Sequence, residues 1–141
     1  MIPQRCRLLV AVSLLMTTTV AGQAPVTQTT KSPVYSAAQA TRGESLYLTH
    51  CVSCHTVATY KGGPFRGWQG KTLADLFVFL RNNMPESDPG LLTAQEYTDV
   101  VAFLLKLNGL PSGTTDLSAD EKVLRDITIE LMTRPFAKEL L

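Results

Sequence analysis

Cys51-Val52-Ser53-Cys54-His55 sets reactive side chains at a fixed spacing within this 141-residue chain. Cysteines three apart on a helical turn face the same side, and the next residue brings an imidazole beneath them. The pattern, C-x-x-C-H, is the attachment sequence for a c-type haem. Two thiols bond the two vinyl groups along one edge of the macrocycle, which makes His55 the proximal ligand of the iron. Other chemistry uses the same residues. A C-x-x-C pair is the dithiol of thioredoxin-like folds, which need a strand–helix–strand setting that this sequence lacks. It is also half of a zinc site, but no second C-x-x-C or paired histidine follows, and His50 is the only other histidine. His50 itself reads as a partly exposed surface residue.

The opposite face of an iron held by His55 needs a ligand, water or nothing. Beyond the N-terminal segment the methionines are Met84 and Met132. Met84 lies in Asn82-Asn83-Met84-Pro85, where Pro85 pushes it out of helical geometry and a thioether is presented from a loop. Most methionines are packing residues, but a methionine in so polar a loop has no apolar stripe to join. Met132 sits beside apolar tail residues and reads as packing.

The elements that position these residues are helical. Ala40, Gly43, Leu46, Tyr47 and His50 recur at steps of three and four and run into Cys51. Thr72 and Asp75 open a second helix with Leu73, Leu76, Phe77 and Leu80 on its apolar face. Thr93 and Glu96 form a capping box before the longest stripe, Tyr97, Val100, Val101, Leu104 and Leu105, with Gly109 as its stop. Ser118 and Glu121 predict another box, opening a tail helix with Val123, Leu124, Ile127 and Leu131. Gly62-Gly63-Pro64 and Pro85 to Gly90 are loops. No run alternates as a strand. The expected class is therefore all-α: three main helices and loops around one covalent haem, plus a C-terminal helical extension.

The N-terminus carries no part of this pattern. Arg5 and Arg7, the apolar run Leu8 to Met16, and the small residues up to Gly22 read as a signal peptide over 1–22, cleaved near Ala21 or Gly22. That run is too short to span a bilayer, so a membrane enters only if the segment stays uncleaved. Cys6 precedes the run, where a lipoprotein cysteine would follow it, and leaves with the signal. Residues 23–38, rich in Thr, Ser, Gln and Pro, read as a flexible linker. Residues 39–110 form the folded domain and 111–141 the extension, which either wraps the domain or docks a partner.

Composition narrows the function classes. An apolar fraction of 45% with 18% charged residues suits a globular chain. A formal charge of +1 carries no basic signature, so nucleic acid is not an expected partner. Loss of Arg5 and Arg7 leaves eleven basic against twelve acidic residues, a charge near −1. Export places Cys51 and Cys54 in an oxidising compartment, where such a pair is a disulfide, a redox pair or covalently occupied. A helical unit of about seventy residues also needs a staple such as a cofactor.

Residues 39–110 resemble a class I c-type cytochrome. The order matches: Gly43 and Tyr47 on the first helix, Cys51 to His55, Gly63-Pro64, Met84-Pro85, then the long helix from Ala94 to Leu107. Residues 84–113 are further similar to cytochrome domains that accompany periplasmic quinoprotein dehydrogenases. The resemblance implies that Gly43 lets the first helix cross the third closely, with Tyr47 against Tyr97 or Val101. It implies that the Pro64 carbonyl accepts from His55 Nδ1–H, and that Trp68, with Tyr60 or Arg66, binds the haem propionates.

The expected function follows: a periplasmic, non-enzymatic electron carrier with one haem c. Its cofactor-binding residues would be Cys51, Cys54, His55, Pro64, Trp68 and Met84, with His55 and Met84 on the iron. A dehydrogenase, by the resemblance a quinoprotein, would be the donor, and an oxidase or another cytochrome the acceptor. The alternatives are a haem subunit of a larger oxidoreductase, or a small haem enzyme or gas sensor with an open distal site. No G-x-S-x-G or H-E-x-x-H occurs.

Overall fold

The computed structural model describes residues 28–132. The expected signal segment 1–22 lies outside the described residues. Ser36 opens α1, Ala37–His50, by accepting the N–H of Gln39. Thr72 opens α2, Leu73–Asn83, and Thr93 opens α3, Ala94–Leu107. Both threonines close the capping boxes read from the sequence: each hydroxyl accepts the N–H of Asp75 or Glu96, whose carboxylate accepts the threonine's own N–H. Gly109, at a φ of 75°, donates to the Lys106 carbonyl and ends the third helix. Two 3-10 turns, Val57–Tyr60 and Pro64–Trp68, link α1 to α2. The described residues are thus a small all-α fold of three main helices and long loops, as the resemblance implies.

The helices meet on their apolar faces. Tyr47, Leu73, Leu76, Phe77, Tyr97, Val101, Leu104 and Leu105 are buried together. α1 crosses α3 so closely that a Cβ at Gly43 would lie 1.8 Å from the Asp99 carbonyl oxygen. Beside the crossing, the Arg42 guanidinium forms a fork with the buried Asp99 carboxylate, Nε to Oδ2 at 2.9 Å and Nη2 to Oδ1 at 3.1 Å. Tyr47 packs its ring 5.2 Å from that of Phe103, whereas the ring of Tyr97 meets Phe77 of α2 edge-on at 6.4 Å.

Two expectations for the chain ends are corrected. The segment 23–38 is no linker where it is described: residues 28–36 are built into the fold. β1, Gln28–Thr29, pairs in parallel with β2, Ile127–Thr128. Thr30 is fully buried, its hydroxyl donating to the Glu130 carbonyl and accepting that residue's N–H, each at 2.9 Å. Tyr35 is buried and donates to the Leu110 carbonyl at 2.6 Å. Polar composition does not keep these residues outside, because Thr30 finds its partner in the tail and Tyr35 finds its own at Leu110, just past α3.

The tail is less helical than expected and is not a free docking strip. Among its described residues, 111–132, the helix α4 spans only Glu121–Arg125. Ser118 spends its hydroxyl on the Asp120 N–H, and Asp120 caps the helix instead by accepting from Lys122. Leu117, Leu124, Ile127 and Ile129 are buried. Gln39 clamps the tail at Leu117: its amide donates to the Leu117 carbonyl at 3.1 Å and its carbonyl accepts the Leu117 N–H at 2.6 Å. The described part of the extension, residues 111–132, wraps the three-helix unit.

Candidate haem site

α1 hands the chain directly to the C-x-x-C-H motif. The N–H groups of Cys51 and Val52 donate to the Tyr47 carbonyl at 2.9 and 3.0 Å, and those of Cys54 and His55 to the Cys51 carbonyl at 3.2 and 2.9 Å. The segment is therefore one more helical turn, which sets both thiols and the imidazole along one side. Both thiols are free, Cys51 half-buried and Cys54 exposed. Burial pushes the Cys51 thiol up. The buried Tyr47 hydroxyl locks the end of the turn, donating to the His55 carbonyl at 2.7 Å and the Thr56 carbonyl at 3.2 Å. Burial, with Tyr60 and Cys51 close by, pushes this phenol up to about 12, so it stays a donor at neutral pH.

Met84 comes from the other end of α2. Its N–H still bonds the Leu80 carbonyl at 2.8 Å, but its backbone is extended, with φ −131° and ψ 143°. The residue before a proline is excluded from the helical region, so the helix stops here. Met84, Cys51, Cys54 and His55 all line one cavity of about 380 Å³. Leu80 from α2 and Val100 and Leu104 from α3 form its apolar wall. Tyr60 stands edge-on to the His55 ring with centroids 5.4 Å apart. His50 is half-buried, as a partly exposed residue should be, and it also lines this cavity. Met132 is exposed at the tail and does not line it.

α3 ties down the loops on both sides of the cavity. Near its start, the Tyr97 hydroxyl donates to the Met84 carbonyl at 2.6 Å and accepts the Gly90 N–H at 3.1 Å. At its C-cap, Asn108 donates from Nδ2 to the Tyr60 carbonyl and accepts the Gly62 N–H, both at 2.8 Å. Sequence reasoning assigned Tyr97 only to the apolar stripe and passed over Asn108. Their partners lie 7, 13, 46 and 48 residues away, and no local sequence pattern marks such bonds.

Pro64 and Trp68, also expected to touch the haem, are not brought to this cavity. Pro64 is exposed, and no hydrogen bond among the described residues joins it to His55. The turn Val57–Tyr60 carries the chain past the imidazole, so Tyr60 approaches it instead. Trp68 packs 5.4 Å from Phe79 of α2 under the Lys71 ammonium, which sits 4.7 Å from its ring centre. It lines a separate surface pocket between α2 and α4 with Lys71, Phe79 and Arg125.

The donor set fits a covalently attached haem. Two free thiols three residues apart, one imidazole and one thioether surround a cavity whose wall is largely aliphatic and aromatic. The zinc alternative finds no ligand set, since no three His, Cys, Asp or Glu side chains converge among the described residues. Residues 38–104 match the family model described as "Cytochrome C oxidase, cbb3-type, subunit III". No curated protein and no solved structure matches the chain. The matched span runs from the start of α1 through the motif and Met84 into α3. Motif, fold and family thus agree: this chain carries a c-type cytochrome domain, with covalently bound haem c as its cofactor.

Proposed function

We propose that the protein is an exported, non-enzymatic electron carrier in which Cys51 and Cys54 hold one haem and His55 and Met84 are its axial ligands. The observation that carries this reading is that all four side chains line a single cavity. Bound there, the haem iron supplies one-electron oxidation and reduction. The chain's own residues set the conditions. Tyr47 and Tyr60 orient His55, the first through its backbone carbonyl and the second against the ring edge. Leu80, Val100 and Leu104 exclude water from the cavity. Met84 would hold the iron from the side of the cavity opposite His55, which would close that side to oxygen or peroxide, and its thioether would favour the ferrous state.

Export is supported by the signal-like segment 1–22 and by a motif whose cysteines need occupation in an oxidising compartment. No helix among the described residues is long and apolar enough to cross a membrane. A c-type cytochrome domain implies redox protein partners. We take a dehydrogenase, by resemblance a quinoprotein, as donor and an oxidase or cytochrome as acceptor. The matched family is described as an oxidase subunit, which favours an oxidase on the accepting side. It also favours a second reading, a subunit bound to a larger oxidoreductase; native purification separates the two, giving a monomer for a free carrier and a complex for a subunit.

The test is covalent attachment together with redox behaviour. The native protein should stain for haem on a denaturing gel and titrate reversibly as a one-electron couple, and the Cys51→Ala/Cys54→Ala variant should lose the stain. Stain retained in that variant would contradict the proposal.

A further inference from the structure

We infer that Tyr97 is a positioning residue for the distal side of the site: its hydroxyl fixes the loop that presents Met84. The inference rests on Met84 as distal ligand. Past the Leu80 bond that ends α2, the loop to Thr93 holds only short local bonds of its own, Asp88 N–H to the Pro85 carbonyl at 2.9 Å and Leu91 N–H to the Asp88 carbonyl at 3.2 Å. Such turns shape a loop without fixing where it lies on the protein. The Tyr97 oxygen supplies that fix at two points, donating to Met84 itself and accepting from Gly90. One hydroxyl thus spans both ends of the Met84–Gly90 segment, and its hydrogen is committed to the Met84 carbonyl.

The anchor behind the hydroxyl is rigid. Tyr97 is 2% exposed, sits in the first turn of α3 and meets Phe77 of α2 edge-on. The Met84 backbone therefore cannot move away from the cavity without breaking a bond to a side chain clamped between two helices. A buried tyrosine in an ordinary core also seeks a partner for its hydroxyl. What sets this one apart is that both its partners lie on the loop bearing the candidate ligand. A purely structural tyrosine would alter the melt alone. A positioning tyrosine also alters how readily an outside ligand displaces Met84.

The experiment is imidazole binding to the ferric holoprotein, in a cycle of Tyr97→Phe, Met84→Ala and the double variant. Tyr97→Phe keeps the ring and removes the bonds. It should tighten imidazole binding about three- to tenfold, the equilibrium equivalent of one net hydrogen bond. Met84→Ala should tighten it further, and Tyr97→Phe should then add nothing. Unchanged affinity in Tyr97→Phe, or an equal gain in both backgrounds, would overturn the role of Tyr97 and leave Met84 standing. Unchanged affinity in Met84→Ala would overturn the distal assignment, and this inference with it. Should Tyr97→Phe fail to fold, the native holoprotein decides: the Gly90 amide should exchange hydrogen more slowly than the loop amides of Glu86 and Ser87, and equal rates would overturn the anchor.

Discussion

Three carboxylates are held in their charged form by the hydrogen bonds that close the fold. Asp75 takes the backbone N–H and then the hydroxyl of Thr72, Glu96 does the same with Thr93, and Asp116 accepts from Ser36 and then Arg42. Each lies below the usual carboxylate range. A group whose pKa falls on folding gives its full stability above the unfolded value, about 4, and loses it as pH drops through the folded value. The melting temperature should be level near neutrality and fall below about pH 4. Thr72→Ala and Thr93→Ala should be less stable at pH 7, and the deficit should narrow without vanishing as the pH drops, because the hydroxyl's bond to the carboxylate is lost on protonation while its acceptance of the Asp75 or Glu96 N–H is not. A stability deficit equal at pH 7 and pH 3 would contradict this. These caps were legible because their partners lie three residues apart. The motif was legible because it is contiguous, and Met84 because of its proline. Tyr97 and Asn108 were not, since their partners lie on other parts of the chain.

The crossing of α1 and α3 is the element contact on which the motif depends, because α1 runs straight into Cys51. Alanine is the better helix former by about 1 kcal/mol, so an open helix site would be stabilised by Gly43→Ala. Here the new Cβ meets Asp99 backbone at 1.8 Å, which no side-chain rotation relieves. Forcing the helices apart costs at least the 1–3 kcal/mol typical of overpacking, so steric conflict wins. Urea unfolding of the holoprotein should show a net loss on the order of 2 kcal/mol, the upper overpacking cost less the alanine gain. A gain would show that the helices are not in contact there. Helix type followed from apolar spacing and the starts of α2 and α3 from their capping residues, whereas α1 begins at Ala37, inside the stretch read as a linker. The ends of the tail helix did not follow either, because Ser118 and Glu121 satisfy a capping pattern that Asp120 displaces. The two-residue strands are too short to carry any period.

At the scale of the molecule, residues 28–36 and the tail complete a core that three helices alone leave open. Composition concealed this, since a Thr-, Ser- and Pro-rich stretch resembles a linker until its polar groups are seen paired with residues about a hundred positions away. Leu117, Leu124, Ile127 and Ile129 are each worth about 1.5–3 kcal/mol when fully buried. A chain ending at Ser112 loses all four and strands the Gln39 amide. It should still attach haem with an unshifted Soret band, because every proposed ligand precedes that point. Its melting temperature should fall by more than about 10 °C. An unchanged melt would show that the tail does not wrap the domain in solution.

The pairing of His55 with Met84 across one cavity is the central claim, and the ferric near-infrared spectrum tests it most directly. Iron–methionine ligation gives a weak band there. The native protein and Met132→Ala, altered only at an exposed tail residue, should both show the band and refuse carbon monoxide when reduced. Met84→Ala should lose the band, bind carbon monoxide and have a lower reduction potential. A Met84→Ala protein that keeps the band, or a Met132→Ala protein that loses it, would contradict the account.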